Sequence, residues 1–356
     1  MKILVYGAGM IGSIIAAQLE QSGQDVTILA RGVRAQQLRD YGIVSRTFEG
    51  DTYHSAHPQV IEQLTPEHHF NLIIVVVRRN QQANLLSALA QNDHYQTVLF
   101  MGNNLGGARD IQKVLSAEKV MLGFGGTSGE KRGDIIYHFG KEGEAVGAVY
   151  LGELNGKITP RLLELQQIFQ SARFRVSLER NIDAWLKTHA ALILPLAFGL
   201  YLTDGSNYRL AKTRDALVMV YRAICEGFRV LRKRRIPIRP VKYQLIPLLP
   251  EPLGVLLLRK IFDSEFARVG LAGHANRARD EMDFLAGEFQ SLMQQSGIKT
   301  PNLHYLYSSI NQPAASVPEG SKQIALNWKP IWVSAGVLTA LIGVVGYLMR
   351  HKGQKK

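Results

Sequence analysis

The chain has 356 residues, of which 46% are hydrophobic and 20% are charged. This balance is typical of a globular protein of about two domains, and it excludes a wholly disordered chain, a collagen-like chain and a polytopic membrane protein. The one cysteine, Cys225, excludes an intramolecular disulfide and a zinc site made of cysteines alone. The formal net charge of +13 favours anionic partners such as phosphates, carboxylates or acidic lipids.

The chain begins with a short apolar run that leads directly into a glycine-rich turn. Residues 2–6 predict a buried strand, residues 13–20 a helix and residues 26–30 a second strand. The apolar run is too short for a signal peptide, so we expect the first domain to stay in the cytoplasm. The turn carries the pattern G-x-G-x-x-G, formed by Gly7, Ala8, Gly9, Met10, Ile11 and Gly12.

Between a strand and a helix, this glycine pattern is typical of a dinucleotide-binding site. Gly7 permits the tight turn, Gly9 leaves room for a pyrophosphate, and Gly12 lets the helix pack closely on the strand. The helix N-terminus then presents free N–H groups and the positive end of its dipole to the phosphates. The alternative is a glycine turn with only a structural role.

The residues after the second strand indicate which coenzyme is bound. NAD-preferring sites usually carry an acidic residue there, which binds the ribose 2′-hydroxyl. This chain has Arg31 instead, with Arg34 close by, and a guanidinium suits a 2′-phosphate. We therefore predict NADP(H) as the coenzyme; the alternative is that Arg31 is an exposed loop charge.

Two further buried strands are predicted at residues 71–77 and 97–101. Arg78 follows the first strand, and Asn103 follows the second. Ligands of open α/β sheets bind beyond the carboxyl ends of the strands, so both side chains are candidates for contacting the nicotinamide and an acidic substrate. Each also has a plain alternative, a loop charge for Arg78 and a turn residue for Asn103.

With these motifs, the sequence resembles the ketopantoate reductase (2-dehydropantoate 2-reductase) family. The matching segments are residues 1–13, 29–32, the strand ending at Arg78, residues 103–106 and residues 151–156. The resemblance covers most of residues 1–310. It implies an NADPH-dependent reductase of a 2-keto acid, built from a Rossmann-type doubly wound sheet followed by an all-α domain.

The resemblance also implies catalytic residues. Asn103 matches the family's Asn after this strand, Lys187 its catalytic Lys and Glu281 its substrate-contacting Glu. The sequence departs from the family near two of them. The asparagines that follow the Lys are missing and His189 has appeared, while the Ser and Asp that precede the Glu are absent and His274 lies close to that place. These departures leave the substrate open.

The segment around Glu281 independently predicts a site. Apolar side chains recur at helical spacing and define a buried face. His274 and Glu281, two turns apart on this predicted helix, border that face and are costly there unless partnered. The alternatives are a surface His–Glu pair here and, for His189, a core histidine satisfied by the backbone. The apolar residues of the face are Ala278, Met282, Leu285, Phe289 and Leu292.

The rest of the second domain, predicted over residues 176–310 after a first domain over residues 1–175, is helical in pattern. Residues 187–202 and 213–235 predict helices. The apolar run at residues 255–258 fits either core packing or a membrane surface, and we favour the core. The basic cluster at residues 229–235 fits a solvated surface, and no nucleic-acid-binding motif accompanies it.

The C-terminal segment predicts a single-pass membrane anchor. Residues 330–349 carry no charge over the length that a helix needs to cross the hydrocarbon layer. Residues 311–329 predict a linker, and residues 350–356 form a basic tail. A buried C-terminal helix is the alternative. The basic tail favours a cytoplasmic position for itself, but NADPH is cytoplasmic, so we expect the catalytic domains on that side.

Together these features predict a membrane-tethered NADPH-dependent reductase of an anionic 2-keto acid or a related carbonyl. The alternative is an NADP(H)-binding scaffold or sensor at the membrane that has lost catalysis. We predict no metal site and no nucleic-acid partner, and leave a homodimer open. In the predicted mechanism, Lys187 donates the proton with His189 or His274 as fallback, Asn103 binds the ketone oxygen, Glu281 orients the substrate or Lys187, and Arg78 holds a carboxylate.

Overall fold

A computed structural model describes residues 1–141, 143–309 and 317–327. The first domain is built on an eight-stranded sheet with the order β12-β11-β8-β7-β6-β1-β2-β5, and a second sheet has the order β4-β3-β10-β9. The strands of both sheets are β1 (Lys2–Tyr6), β2 (Asp25–Leu29), β3 (Ile43–Thr47), β4 (His54–Ala56), β5 (Gln59–Ile61), β6 (Phe70–Val75), β7 (Tyr95–Met101), β8 (Val120–Gly126), β9 (Gly129–Arg132), β10 (Ile135–His138), β11 (Gly147–Glu153) and β12 (Phe174–Leu178).

The large sheet is parallel except where β11 pairs antiparallel with β8. Its central strands are buried on both faces, because the first domain's helices cover them. These helices are α1 (Met10–Gln21), α2 (Val33–Tyr41), α3 (Ala83–Gln91) and α4 (Pro160–Ser171). The predicted Rossmann-type sheet is thus confirmed.

The sheet runs slightly further along the chain than the predicted domain boundary at residue 175. Strand β12 pairs with β11 up to Leu178, and the second domain begins with the next helix. From there on, the second domain is helical, as predicted. Its helices are α5 (Ile182–Tyr201), α6 (Asn207–Lys212), α7 (Arg214–Lys233), α8 (Glu251–Phe262), α9 (Gly273–Arg277), α10 (Arg279–Ser296) and α11 (Pro301–Ser308).

Helices α5 and α7 form the centre of the helical core. Gly199 of α5 lets Val220 of α7 approach so closely that a Cβ at position 199 would lie 2.3 Å from the Val220 side chain. Helix α10 packs its apolar side, with Leu285 and Phe289 fully buried, onto the same core. Of the run at residues 255–258, Val255 and Leu258 are buried, whereas Leu256 is 45% exposed.

Residues 317–327, which we call the C-terminal strap, lie against α7 and α8. Asp215, on the first turn of α7, accepts hydrogen bonds from the Ser321 hydroxyl and from the N–H groups of Gln323 and Ile324, at 2.7 and 3.0 Å for the two N–H groups. On α8, Glu251 accepts one from the Asn327 N–H at 2.9 Å. Two buried carboxylates therefore hold the strap by its backbone.

Two arginines hold the strap's carbonyl groups in the same way. Arg214 donates to the carbonyls of Lys322 and Ile324, and Arg222 donates to that of Ala325 at 2.9 Å. Arg222 also pairs with both oxygens of Glu251 at 2.8 Å. The strap is the whole described part of the predicted linker, so this part of the linker is docked on the helical domain.

The predicted membrane anchor at 330–349 and the basic tail at 350–356 lie outside the described residues. Within residues 1–141, 143–309 and 317–327, no helix combines the length and the apolar character that a membrane span requires.

We predict that Asp215→Ala releases the strap and lowers the free energy of unfolding by about 2–4 kcal/mol, because several strap donors lose their buried acceptor. The hydrogen bonds from Ser321 and from the strap N–H groups outweigh the effect of burial and hold the pKa of Asp215 below its usual value. A carboxyl with a lowered pKa stabilises the fold above its unfolded pKa and loses that effect as the pH falls. Urea unfolding measures the change.

Asp263→Ala, which removes an exposed carboxylate just after α8, is the control and should leave stability within about 0.5 kcal/mol. Equal stability of the Asp215 variant and the unmodified protein would show that the strap contributes nothing.

Candidate functional site

The glycine loop leaves an open space above its middle residue. A Cβ built at Gly9 meets no atom within 4 Å, whereas one at Gly12 would lie 2.0 Å from the Gly7 carbonyl oxygen. At Gly7, where φ is +124°, a Cβ would lie 2.4 Å from the carbonyl oxygen of Val76. Gly7 and Gly12 are thus required by close backbone packing, and Gly9 leaves the N-terminus of α1 accessible, which fits the pyrophosphate of a dinucleotide.

Three charged side chains surround the end of β2 beside this loop. Arg31 is exposed, and its charge acts on the Tyr6 hydroxyl, whose pKa is nonetheless raised by burial. Arg34 is bound to the loop, since its guanidinium donates to the Ala8 carbonyl at 3.3 Å and to the Ser13 hydroxyl at 3.1 Å. Glu62 follows β5 and accepts a hydrogen bond from the Gly32 N–H at 3.3 Å. A carboxylate therefore lies close to the predicted 2′-phosphate site.

The carboxyl ends of β1, β6 and β7 lie side by side, because these strands are neighbours in the sheet. The loop after β6 also connects the two domains there. Arg78 donates to Asp280 on the first turn of α10 at 2.7 Å, and Asn80 donates to the other Asp280 oxygen at 2.9 Å. Arg79, which is buried, pairs with Glu288 on the same helix at 2.7 Å.

Asn103 and Glu281 meet at this junction. The Asn103 side-chain amide donates to Glu281 Oε1 at 3.3 Å, and the Arg79 backbone N–H donates to the same oxygen at 3.1 Å. Glu281 is almost fully buried. The buried Oδ1 of Asn103 has no hydrogen-bond partner among the described residues, so it is available to a ligand. Two of the predicted catalytic residues are thus in direct contact.

The helix predicted through His274 and Glu281 is broken between them. Helix α9 ends at Arg277, Ala278 adopts φ −120° and ψ 35°, and α10 begins at Arg279. The break turns the first residues of α10 toward the loop after β6, where Asp280 and Glu281 find their donors. The prediction of one continuous helix was therefore wrong, although the predicted apolar face is buried from Ala278 to Phe289.

His189 lies in an aromatic cluster on α5. Its ring stacks on Trp185, with centroids 5.2 Å apart and an interplanar angle of 9°, and it contacts Phe124 of β8 with centroids 4.3 Å apart. Trp185 packs on Tyr150 in turn, at 4.3 Å between centroids. Burial lowers the pKa of His189 to about 4, with a smaller contribution from the charge of His274. His189 is therefore neutral at neutral pH.

His274 interacts electrostatically with both His189 and Glu281. Burial lowers the pKa of His274, the Glu281 carboxylate opposes this effect, and Arg277 and Arg78 add to it. Both imidazoles thus favour the neutral form. A neutral imidazole still carries one N–H, which can donate a hydrogen bond to a ligand oxygen.

Lys187 points away from this cluster. Trp185 and His189, four residues apart, share one face of α5, and a residue midway between them lies about 200° around the helix from either. Lys187 instead forms an ion pair with Asp183 beside Gly107, in the loop after β7. No hydrogen bond or ion pair joins Lys187 to Asn103, Glu281 or either histidine within the described contacts, and its catalytic role stays a prediction.

Sequence reasoning missed the partners of these side chains. Asp280 and Glu62 carried no motif, and Trp185 was visible only as part of the resemblance. The spacing of Trp185 and His189, one helical turn, was a signal that could have grouped them. No group of three or more possible metal ligands is found in the described ranges.

The fold and the site define a Rossmann-like α/β domain followed by a helical domain, with polar side chains of both domains meeting at the carboxyl edge of the sheet. Residues 3–156 match the family described as "Ketopantoate reductase PanE/ApbA". The first domain is therefore similar to this family of oxidoreductases, over less than half of the chain.

Two curated relatives are similar to the chain. The first is "Uncharacterized oxidoreductase YkpB" of Bacillus subtilis, 28% identical over 52% of this chain; the match spans only 61% of that relative's length. The second is a 2-dehydropantoate 2-reductase of Halobacterium salinarum, 22% identical over 65% of this chain and 75% of the relative.

Solved structures share the fold over nearly the whole described chain. D-mandelate dehydrogenase, solved as a ternary complex with NADH and anilino(oxo)acetate, has a TM-score of 0.72 at 20% identity, covering 88% of this chain and 98% of its own. The 2-dehydropantoate 2-reductase of Geobacter metallireducens has a TM-score of 0.72 at 16% identity, with coverages of 88% and 99%.

We predict that Gly9→Ala folds normally but loses dinucleotide binding, because its methyl group would occupy only the open space above the loop. The matched substitution Gly12→Ala forces a methyl group against the Gly7 carbonyl and should lower stability by about 1–3 kcal/mol. Thermal unfolding without ligand and calorimetric titration with NADPH and NADH separate the two effects. Undiminished coenzyme binding by the Gly9 variant would contradict the assignment of the loop.

We predict that the buried His189 weakens the fold in acid. Its pKa falls from 6.5 to about 4 on folding, so the unfolded chain takes up a proton in this range that the folded chain does not. The contribution of neutral His189 to the free energy of unfolding is therefore complete above about pH 6.5 and is lost as the pH falls toward 4. His189→Gln should flatten the decline of unfolding free energy across this window, whereas His304→Gln, at an exposed position of α11, should not. Parallel curves for all three proteins would refute this prediction.

Proposed function

We propose that the protein is an NADPH-dependent reductase of a 2-keto acid or a related carbonyl, of the ketopantoate reductase type. The contact between Asn103 and Glu281 carries this proposal. It brings together, at the carboxyl edge of the sheet, the two residues that resemble the family's catalytic Asn and Glu. Asn103 follows β7, and the neighbouring strand β6 leads into Val76, whose carbonyl group packs against Gly7 of the glycine loop. The similarity of residues 3–156 to an oxidoreductase family supports the same reaction class.

The coenzyme, when bound, supplies the hydride. The chain's own residues bind and orient the carbonyl and its proton. The free Oδ1 of Asn103 lies beside Glu281, and the Glu281 charge acts on the imidazole of His274, so we expect the site to offer both donors and acceptors to a ligand. A neutral N–H stabilises a developing alkoxide by hydrogen bonding, without carrying a full positive charge.

Lys187 and Arg78 enter the mechanism only through a rearrangement. Lys187 is paired with Asp183 and Arg78 with Asp280. Proton donation by Lys187, or binding of a substrate carboxylate by Arg78, requires these ion pairs to open when the substrate enters. Otherwise the imidazoles of His189 and His274 remain the fallback proton donors. The basic composition favours an anionic substrate in either case.

The choice of NADP(H) over NAD(H) rests on Arg31 and Arg34. Both guanidinium groups lie at the end of β2 or on the glycine loop, where a 2′-phosphate would bind. Glu62 opposes this preference through its charge, and the solved D-mandelate dehydrogenase contains NADH. Asp134 also acts on Arg34 through its charge. We nevertheless expect a preference for NADPH, because Glu62 is already paired with Arg39 and so opposes a 2′-phosphate less.

We propose further that residues 330–349 tether the protein to a membrane, with the two domains on the cytoplasmic side. The uncharged sequence of this segment supports the tether. The second candidate function is an NADP(H)-binding scaffold at the membrane without catalysis. The pairing of Lys187 with Asp183 favours it, because this removes the family's proton donor from the junction.

We predict that the full-length protein oxidises NADPH in the presence of at least one 2-keto acid of a panel, and that Glu281→Gln lowers kcat/KM about 100-fold or more. Glutamine keeps an oxygen acceptor for Asn103 and Arg79, so this variant tests the charge rather than the fold. Lys187→Ala shows whether the lysine takes part in catalysis, and Lys299→Ala, at an exposed site after α10, is the control.

We predict that Arg31→Gln weakens NADPH binding about tenfold or more and leaves NADH binding unaffected, because only NADPH carries the 2′-phosphate.

The outcomes separate the two candidates. Coenzyme binding without oxidation by any keto acid would favour the scaffold over the reductase. Absence of binding to both coenzymes would overturn both functions.

A further inference from the structure

A second concavity, remote in sequence from the candidate active site, opens beside the C-terminal strap. It has a volume of about 390 Å³ and lies between α6, α8 and the strap. Its floor is apolar and includes Leu256, the exposed leucine of α8, together with Leu326 of the strap. Among residues 1–141, 143–309 and 317–327, no acidic side chain lines it, and the charged residues of its lining are Lys212, Arg214, Arg259 and Lys322.

Three of these rim cations are available to a ligand. Lys212, Arg259 and Lys322 are exposed, and no carboxylate pairs with any of them in the described part of the chain. Arg214 is occupied by the strap carbonyls. Cations around an apolar floor match an amphiphile with a negatively charged headgroup, because the charges bind the headgroup and the leucines cover the adjoining apolar part.

The strap determines what this concavity faces. Glu251 binds the backbone of Asn327, so the last described residue of the strap lies at the N-terminus of α8, next to the concavity. The predicted membrane span begins at residue 330, and three residues extend over about 11 Å at most. If the span is embedded, the concavity therefore lies within reach of the lipid headgroups.

We propose that this concavity binds the headgroup of an anionic phospholipid in the membrane to which the chain is tethered. Lys212, Arg259 and Lys322 contact the phosphate region, and Leu256 contacts the apolar part of the interface. The proposal rests on the membrane tether of the proposed function. It adds a lipid class and a fixed orientation, with the start of α8 toward the bilayer.

Hydrogen–deuterium exchange of the full-length protein tests the proposal. The protein is mixed with vesicles of phosphatidylcholine alone or of phosphatidylcholine with phosphatidylglycerol, and exchange is followed over residues 251–262 and 317–327. We expect protection of both segments that depends on phosphatidylglycerol. For the triple variant Lys212→Gln, Arg259→Gln, Lys322→Gln, the lipid concentration that gives half-maximal protection should rise at least about tenfold. Leu256→Gln should weaken it as well.

The control variant removes the same charge from exposed positions elsewhere, through Arg175→Gln, Lys233→Gln and Lys299→Gln. An equal loss in both triple variants would overturn the proposal in favour of general electrostatic attraction. Protection by inorganic phosphate equal to that by vesicles would overturn the lipid as the ligand.

Flotation of the protein with the vesicles reports separately on the tether. Flotation with both kinds of vesicle, without protection that depends on phosphatidylglycerol, leaves the tether standing and overturns the headgroup site. Absence of flotation and of protection overturns both. Strong protection of residues 251–262 before any lipid is added would show that another segment of the chain fills the concavity, and would also overturn the proposal.

Discussion

A buried carboxylate at the junction of the two domains, Glu281, governs the arrangement of the candidate site. A buried charge is costly unless hydrogen bonds compensate it, and Glu281 obtains them from the Arg79 N–H and the Asn103 amide. Both donors lie beyond the ends of sheet strands, so satisfying Glu281 holds the start of α10 against the sheet. Two helical turns later, Glu288 pairs with the buried Arg79 and fixes the same face of the helix. The crease that a ligand would enter is therefore formed by these contacts.

The electrostatics of the junction differ from a site built around one free cation. The imidazoles of His189 and His274 are held neutral by burial, and the cationic side chains of Arg78 and Lys187 are each paired with a carboxylate. Charge that develops on a ligand would be met first by N–H dipoles and only then, after rearrangement, by a full positive charge. Preorganised dipoles are effective in a site that excludes water, because they require little reorganisation. This arrangement agrees with the loss of the family-like polar residues around Lys187 and Glu281.

The sequence was most informative where a local pattern has a single physical cause. The glycine loop and its flanking strand and helix follow from backbone packing that only glycine permits, and the structure places them as predicted. The apolar face of α10 followed from its periodicity. The break at Ala278 had no such signal, because it is caused by the donors that Asp280 and Glu281 meet about 200 residues away in the chain. The orientation of Lys187 likewise depends on which face of α5 meets the sheet, and that face is determined by the packing of Trp185 and His189 on Phe124.

The C-terminal strap shows how tertiary contacts change the meaning of a linker. A free linker over residues 311–329 would have a root-mean-square length of roughly 24 Å and would let the two domains move over a membrane surface. Here carboxylates bind N–H groups and arginines bind carbonyls within residues 321–327, so the recognition is mainly of backbone groups, with the Ser321 hydroxyl as an additional side-chain donor. Only residues 328 and 329 then separate the clamped backbone from the predicted span. If residues 330–349 span a membrane, as we propose, so short a connection would limit rotation as well as distance and would present one face of the helical domain to the bilayer.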